Sequence, residues 1–222
     1  MDAKSIERII ENKYTLLLIS LVLLMIASPI VSDSHVISFF IESFLFVVVI
    51  AITLWISGTG KVFFFTAVSF AVIAMFFHYP AMFVFDNKYM GLVALFTYLL
   101  YIGVAIIFML GKIFSEKRIT ADTVKGSISV YLLIGIWWQV LYTAIWVFDQ
   151  SSFTLQDSRV NSPDFFYFSF TTMTTLGYGD IIAKSHAAKT VAMLQAITGQ
   201  MYIAILVARL VGLHIAHSQK KD

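Results

Sequence analysis

Six stretches of this 222-residue chain are apolar almost throughout. Each is about as long as the 20 residues that a helix needs to cross the hydrocarbon of a bilayer. They are residues 14–32, 36–57, 62–79, 89–111, 126–148 and 187–213. The runs are continuously apolar and do not alternate as barrel strands do. Of all residues, 59% are hydrophobic and 13% charged, whereas soluble domains carry about 25% charge. The surplus apolar surface has to face lipid or neighbouring subunits. The sequence therefore predicts an all-α membrane protein with six transmembrane helices.

The charges predict its orientation. An even number of spans puts both termini on one side. With the N-terminus inside, four of the 15 Lys and Arg (Lys88, Arg159, Lys184, Lys189) fall outside and the other eleven inside. Basic residues collect on the cytoplasmic side. The expectation is a multi-pass protein of the cell membrane with both termini cytoplasmic. The N-terminal segment, 1–13, lacks the cleavage site of a signal peptide. Its Ile6, Ile9 and Ile10 suit either a helix lying on the membrane surface or a frayed polar tail. A net charge of +2 argues against nucleic acid as a partner, and the absence of cysteine excludes disulfides and thiolate metal sites. No cofactor is expected.

One apolar stretch, residues 165–176, is too short to cross and suits a re-entrant segment entering from the outside. Ser162 is a candidate cap, Pro163 suits a first helical position, and Asp164 suits the positive end of a helix. The helix should stop near Thr174, because Gly177 and Gly179 follow. Glycine at alternate positions tolerates dihedrals that let successive carbonyls of an extended chain point the same way. Such carbonyls can replace the water around a cation. Thr175 adds a hydroxyl oxygen, and Tyr178 has a polar tip able to brace the strand.

The segment Thr175-Leu176-Gly177-Tyr178-Gly179-Asp180 resembles the signature of potassium channels, whose usual form has valine at the position of Leu176. The order of span, capped half-helix, signature and span, over residues 126–213, resembles the pore module of that family. The whole chain is similar to the six-span, voltage-gated-like class only in the number and orientation of its first four spans. The resemblance implies that Thr175, Leu176, Gly177 and Tyr178, followed by Gly179, hold potassium as the transported ion, with Asp180 ringing the outer mouth. It implies four chains around one axis, because one chain supplies one signature. Asp149, Asp157 and Asp164 either add negative potential near the mouth or are solvated loop charges. A cation channel without potassium selectivity, or a non-conducting regulatory subunit, are the competing readings. No residue set points to an enzyme.

On the sixth span, Gly199 is a hinge, a small residue allowing close helix packing, or both. Gln200, Ile203, Val207, Val211 and Ile215 follow at steps of 3 or 4 on one face. By the family pattern that face lines the cavity and gate, with Val207 and Val211 as an apolar ring, although the same valines suit lipid or packing contacts. Residues 112–125 form a charged cytoplasmic linker, long enough for a surface helix, with Thr120 or Asp122 as a cap for the fifth span. His214 and His217, in the tail 214–222, are candidates for pH sensing, metal binding or an ordinary polar helix end. With nine residues after Leu213, ligand gating would require a separate regulatory protein. Residues 14–111 make a four-helix domain like a voltage sensor. Its fourth span, however, has no basic residue between Lys88 and Lys112, and the second and third spans offer only Glu42 and His78. The expectation is little intrinsic voltage dependence.

Overall fold

The computed structural model of the protein describes residues 13–30, 88–116, 119–155 and 164–218. The predicted second and third spans, the N-terminal helix, Asp157, Ser162 and Pro163 lie outside the described residues. The rest is mostly helical. In chain order the elements are α1 (Lys13–Ile30), α2 (Lys88–Ser115), α3 (Ala121–Phe148), a 3-10 turn (Gln150–Ser152), β1 (Phe153–Leu155), α4 (Phe165–Met173), β2 (Ile181–Ala183) and α5 (His186–Ser218). Among the described residues, three helical segments are long and apolar enough to cross a membrane: Gly91–Ser115, Ala121–Phe148 and His186–Leu213. The first predicted span corresponds to α1, whose apolar part, Tyr14–Ile26, is shorter.

Hydroxyl groups inside these helices turn back on their own backbone. Ser20 donates to the Leu16 carbonyl at 2.9 Å, Ser127 to Thr123 at 2.8 Å and Thr198 to Leu194 at 2.7 Å. In an apolar medium a hydroxyl without a partner is costly, and this bond four residues back supplies one without leaving the helix.

The chain divides into two compact units, one of residues 1–80 and 101–133, the other of residues 81–100 and 134–222. In the first, α1 buries Tyr14, Leu17, Leu21 and Leu24 and exposes Leu16, Ile19, Leu23 and Ile26. The buried set recurs at steps of 3 and 4, the stripe by which a helix packs on one side. The Tyr14 ring lies where a side chain on Gly126 would be, 2.8 Å from an added Cβ. Lys125 Nζ donates to Thr15 Oγ1 at 2.7 Å, holding α1 to the start of α3.

The predicted linker is largely absorbed by its neighbours. Lys112–Ser115 continue α2, and α3 already begins at Ala121, so residues 116–120 alone connect them. The cap of α3 is Thr120: its hydroxyl accepts the Thr123 N–H at 3.1 Å, and Thr123 Oγ1 accepts the Thr120 N–H at 3.3 Å. Thr123 gives its proton to the Glu116 carboxylate, so in the contact between the two hydroxyls Thr120 is the donor. The end of α2 and the start of α3 are thereby locked in one polar cluster.

In the second unit, Trp137 Nε1 donates to the Leu99 carbonyl at 2.9 Å, joining α3 to α2. Beyond α3 a short ribbon lies between the helices. β1 and β2 pair antiparallel, Phe153 opposite Ala183 and Leu155 opposite Ile181. Three residues are too few to show an alternating pattern, so this ribbon is not legible in the sequence.

Candidate functional site

The half-helix α4 begins at Asp164. Its Oδ1 accepts the Tyr167 N–H at 3.0 Å, and its own carbonyl accepts from Phe168 at 3.0 Å. The cap is therefore Asp164, and the first helical residue is Phe165. A carboxylate here satisfies an otherwise orphan N–H and places negative charge at the positive end of the helix.

Its other end is closed by the loop that follows. The Thr175 N–H donates to the Thr172 carbonyl at 3.1 Å and the Leu176 N–H to the Thr171 carbonyl at 2.8 Å. This is the Schellman pattern, which needs a left-handed residue just past the cap, usually glycine. Here that residue is Thr175, with φ 60°. For a β-branched side chain the conformation is unusual and costs about 1–3 kcal/mol. Gly177 and Gly179 follow with φ +50° and +83°. Residues 175, 177 and 179 are thus all left-handed, while Leu176 and Tyr178 between them are not. The glycine spacing predicted two of these positions; the third arises from how the half-helix ends.

The loop is open on its front and held at its back. Leu176 is 54% exposed and Tyr178 69%. The Tyr178 ring stacks on Tyr167 with centroids 6.4 Å apart and planes within 2°. Desolvation first, then the Asp180 carboxylate, raise the Tyr167 hydroxyl above its ordinary pKa of 10.0. Asp180 Oδ1 accepts its neighbour's N–H, that of Ile181, at 3.1 Å. β2 then pairs with β1, and the Lys184 N–H donates to the Ser152 carbonyl at 2.8 Å. β1 is anchored by Phe153, which packs edge-on against Phe165 at 4.8 Å and Tyr142 at 5.8 Å.

Two glycines let α4 sit close to its neighbours. A Cβ on Gly199 would lie 2.6 Å from the Met173 carbonyl oxygen, and one on Gly135 would lie 2.6 Å from the Phe170 ring. Gly199 packs closely on the end of α4, and α5 runs through it as continuous helix. Gly135 went unnoticed in the sequence, where one glycine in an apolar run carries no signal. Gln200 Nε2 lies 3.5 Å from the Met173 carbonyl, beside the end of the half-helix. Ile203, Val207, Val211 and Ile215 are exposed on α5, but so are Met201 and Ile205. Exposure does not single out the gate face. His214 and His217 belong to α5; their side chains lie outside the described residues.

Asp149 has a local role. It caps the 3-10 turn, accepting the Ser151 N–H at 3.0 Å and the hydroxyls of Ser151 at 2.7 Å and Ser152 at 3.1 Å. Those bonds, the Ser151 hydroxyl first, hold its carboxyl below the usual value of 3.8.

The sequence reading also missed a buried polar chain. Tyr142 on α3 donates to Gln195 Oε1 at 2.5 Å, and Gln195 Nε2 reaches the carbonyl and hydroxyl of Ser169 on α4 at 2.9 and 2.7 Å. Ser169 Oγ donates to the Gly135 carbonyl at 2.6 Å. A glutamine inside an apolar run was the available signal.

A capped half-helix and a glycine-patterned loop, set between two long apolar helices, define a pore-type module. A protein-family model described as an ion channel matches residues 127–214, the same stretch. The match supports an ion channel rather than an enzyme and, with the apolar helices, a membrane protein. Comparison with curated proteins and with solved structures gives no match.

Proposed function

We propose that this chain is one subunit of a homotetrameric, potassium-selective channel in the cell membrane. Thr175, Leu176, Gly177, Tyr178 and Gly179 are its selectivity filter, and Asp180 lies at its outer mouth. The observation that carries the reading is the left-handed backbone at residues 175, 177 and 179. Four such strands around an axis would present rings of carbonyl oxygens in place of a hydration shell. The exposure of Leu176 and Tyr178 in a single chain fits a surface completed by three further copies. So does α5, where 11% of the most apolar window is buried.

Gln200, beside the Met173 carbonyl, would then face the inner cavity, with Ile203, Val207 and Val211 below it toward the cytoplasm. The fourth apolar helix carries no basic residue between Lys88 and Lys112. Moving one charge through 100 mV is worth about 2.3 kcal/mol, and this helix has none to move. The first four spans then brace the pore or respond to lipid or to a separate regulatory protein.

The test is recording from purified protein in planar bilayers. Under opposed potassium and sodium gradients the reversal potential should follow potassium. A reversal potential that does not distinguish the two ions would refute selectivity, and no flux at all would refute the channel.

A further inference from the structure

Resting on that reading, we infer that Tyr142, Gln195 and Ser169 form a positioning network that sets the filter's geometry by fixing the half-helix between α3 and α5. None of the three touches the ion. Every polar group of the Gln195 amide is used. Ser169 Oγ must donate to the Gly135 carbonyl, which can only accept, so it receives its other bond from the Gln195 nitrogen. This fixes the amide's orientation. Its second N–H goes to the Ser169 carbonyl and its oxygen accepts from Tyr142.

Gln195 is 0% exposed and Tyr142 0%. A leucine or methionine at 195 would fill similar space in apolar surroundings without needing partners. What an aliphatic contact lacks is direction. Apolar packing lets a short helix turn or slide with little change in buried area, whereas a satisfied polar chain in a medium of low dielectric favours one rotation and one height.

The height matters because Ser169 lies two residues before Thr171. The Thr171 carbonyl accepts from both Leu176, at 2.8 Å, and Gly177, at 3.2 Å. A displacement of the half-helix is therefore passed directly to the filter amides. The Tyr142 ring extends the same frame outward. It lies 4.9 Å from Phe168 on the half-helix and 5.8 Å from Phe153 on β1, which pairs with the strand that leaves the filter. One side chain thus contacts the supports of both ends of the loop.

The experiment compares full-length wild type, Tyr142→Phe, Ser169→Ala, the double variant and Gln195→Met in planar bilayers. Reversal potentials give the sodium-to-potassium permeability ratio, and thermal unfolding in detergent is followed in parallel. Each single variant should raise the ratio on the order of tenfold, the equivalent of one lost buried hydrogen bond. The double variant should raise it no further than a single one, because both act through Gln195. Unchanged ratios with lowered unfolding midpoints would overturn the proposal and leave a merely structural contact. Multiplying effects in the double variant would also overturn it. Tyr142→Phe removes one oxygen from the surface of a ring that stays packed, so it decides the matter even if Gln195→Met does not assemble. A wild type without potassium selectivity would instead refute the function proposed above.

Discussion

At Gly177 the constraint is backbone conformation rather than space. A Cβ there would meet nothing within 4 Å, yet φ is +50°. Gly177→Ala should therefore fold, pay about 1–2 kcal/mol if it keeps the left-handed backbone, and lose selective flux where the loop relaxes instead. Potassium-selective current of wild-type size from this variant would refute the filter assignment. Thr175 is the opposite case, a β-branched residue where glycine is the usual choice. Thr175→Gly should raise the thermal midpoint by relieving that strain while removing a hydroxyl from the inner end of the proposed filter. Asp149 gives a pH effect of definite sign. Its folded carboxyl is held below 3.8, so its contribution is present above that value and is lost as pH falls through the lower folded pKa. The stability gap between wild type and Asp149→Ala, measured by melting across pH, should be constant near neutrality and shrink only in strong acid.

Among elements, the half-helix depends most on its neighbours. Nine residues make too short a helix to persist alone. It is capped at Asp164, closed by the loop, bonded to α3 and α5, and seated against Gly199. Asp164→Ala should cost about 1 kcal/mol as a lost cap, and Asp164→Asn much less. Gly199→Ala should cost about 1–3 kcal/mol, because α5 must move from the Met173 carbonyl to admit a methyl group. Melting of the detergent-solubilised protein checks both. A Gly199→Ala variant as stable as wild type would show that α5 yields there easily, as a hinge would. The ribbon of β1 and β2 closes the outer side of the same frame through Phe153, so the loop is held at both ends by elements distant in sequence.

At the scale of the whole molecule, exposed apolar residues run along α1, α2 and α5. Lipid can cover some of this surface. On the proposed reading, further copies of the chain cover the exposed loop and the exposed α5 beside it, four copies completing the site. Native mass in detergent should be near four times 25.0 kDa, and a conducting monomer would refute the assembly. Open probability in symmetric potassium, without divalent cations or polyamines, should change little from −100 to +100 mV. A steep sigmoidal rise would contradict a fourth span without charges between Lys88 and Lys112.

By itself the sequence determined the features that depend on neighbouring residues. Uninterrupted apolar runs specify helices that can lie in lipid, because backbone groups there must be satisfied within the segment. Gly177 and Gly179, two apart, specify a left-handed alternation because only the missing Cβ makes it inexpensive. A family model described as an ion channel matches residues 127–214, the stretch that holds both glycines. What tertiary structure alone decided are relations between distant residues. Gln195 is 26 residues from Ser169 and 53 from Tyr142. Neither a single glutamine nor a single tyrosine says which neighbour it will face once the helices pack. The same holds for Gly199 against Met173 and for Thr175, whose left-handed backbone no threonine would announce. It exists because the carbonyls of Thr171 and Thr172, at the end of a short helix, take their hydrogen bonds from the loop that turns back beneath them.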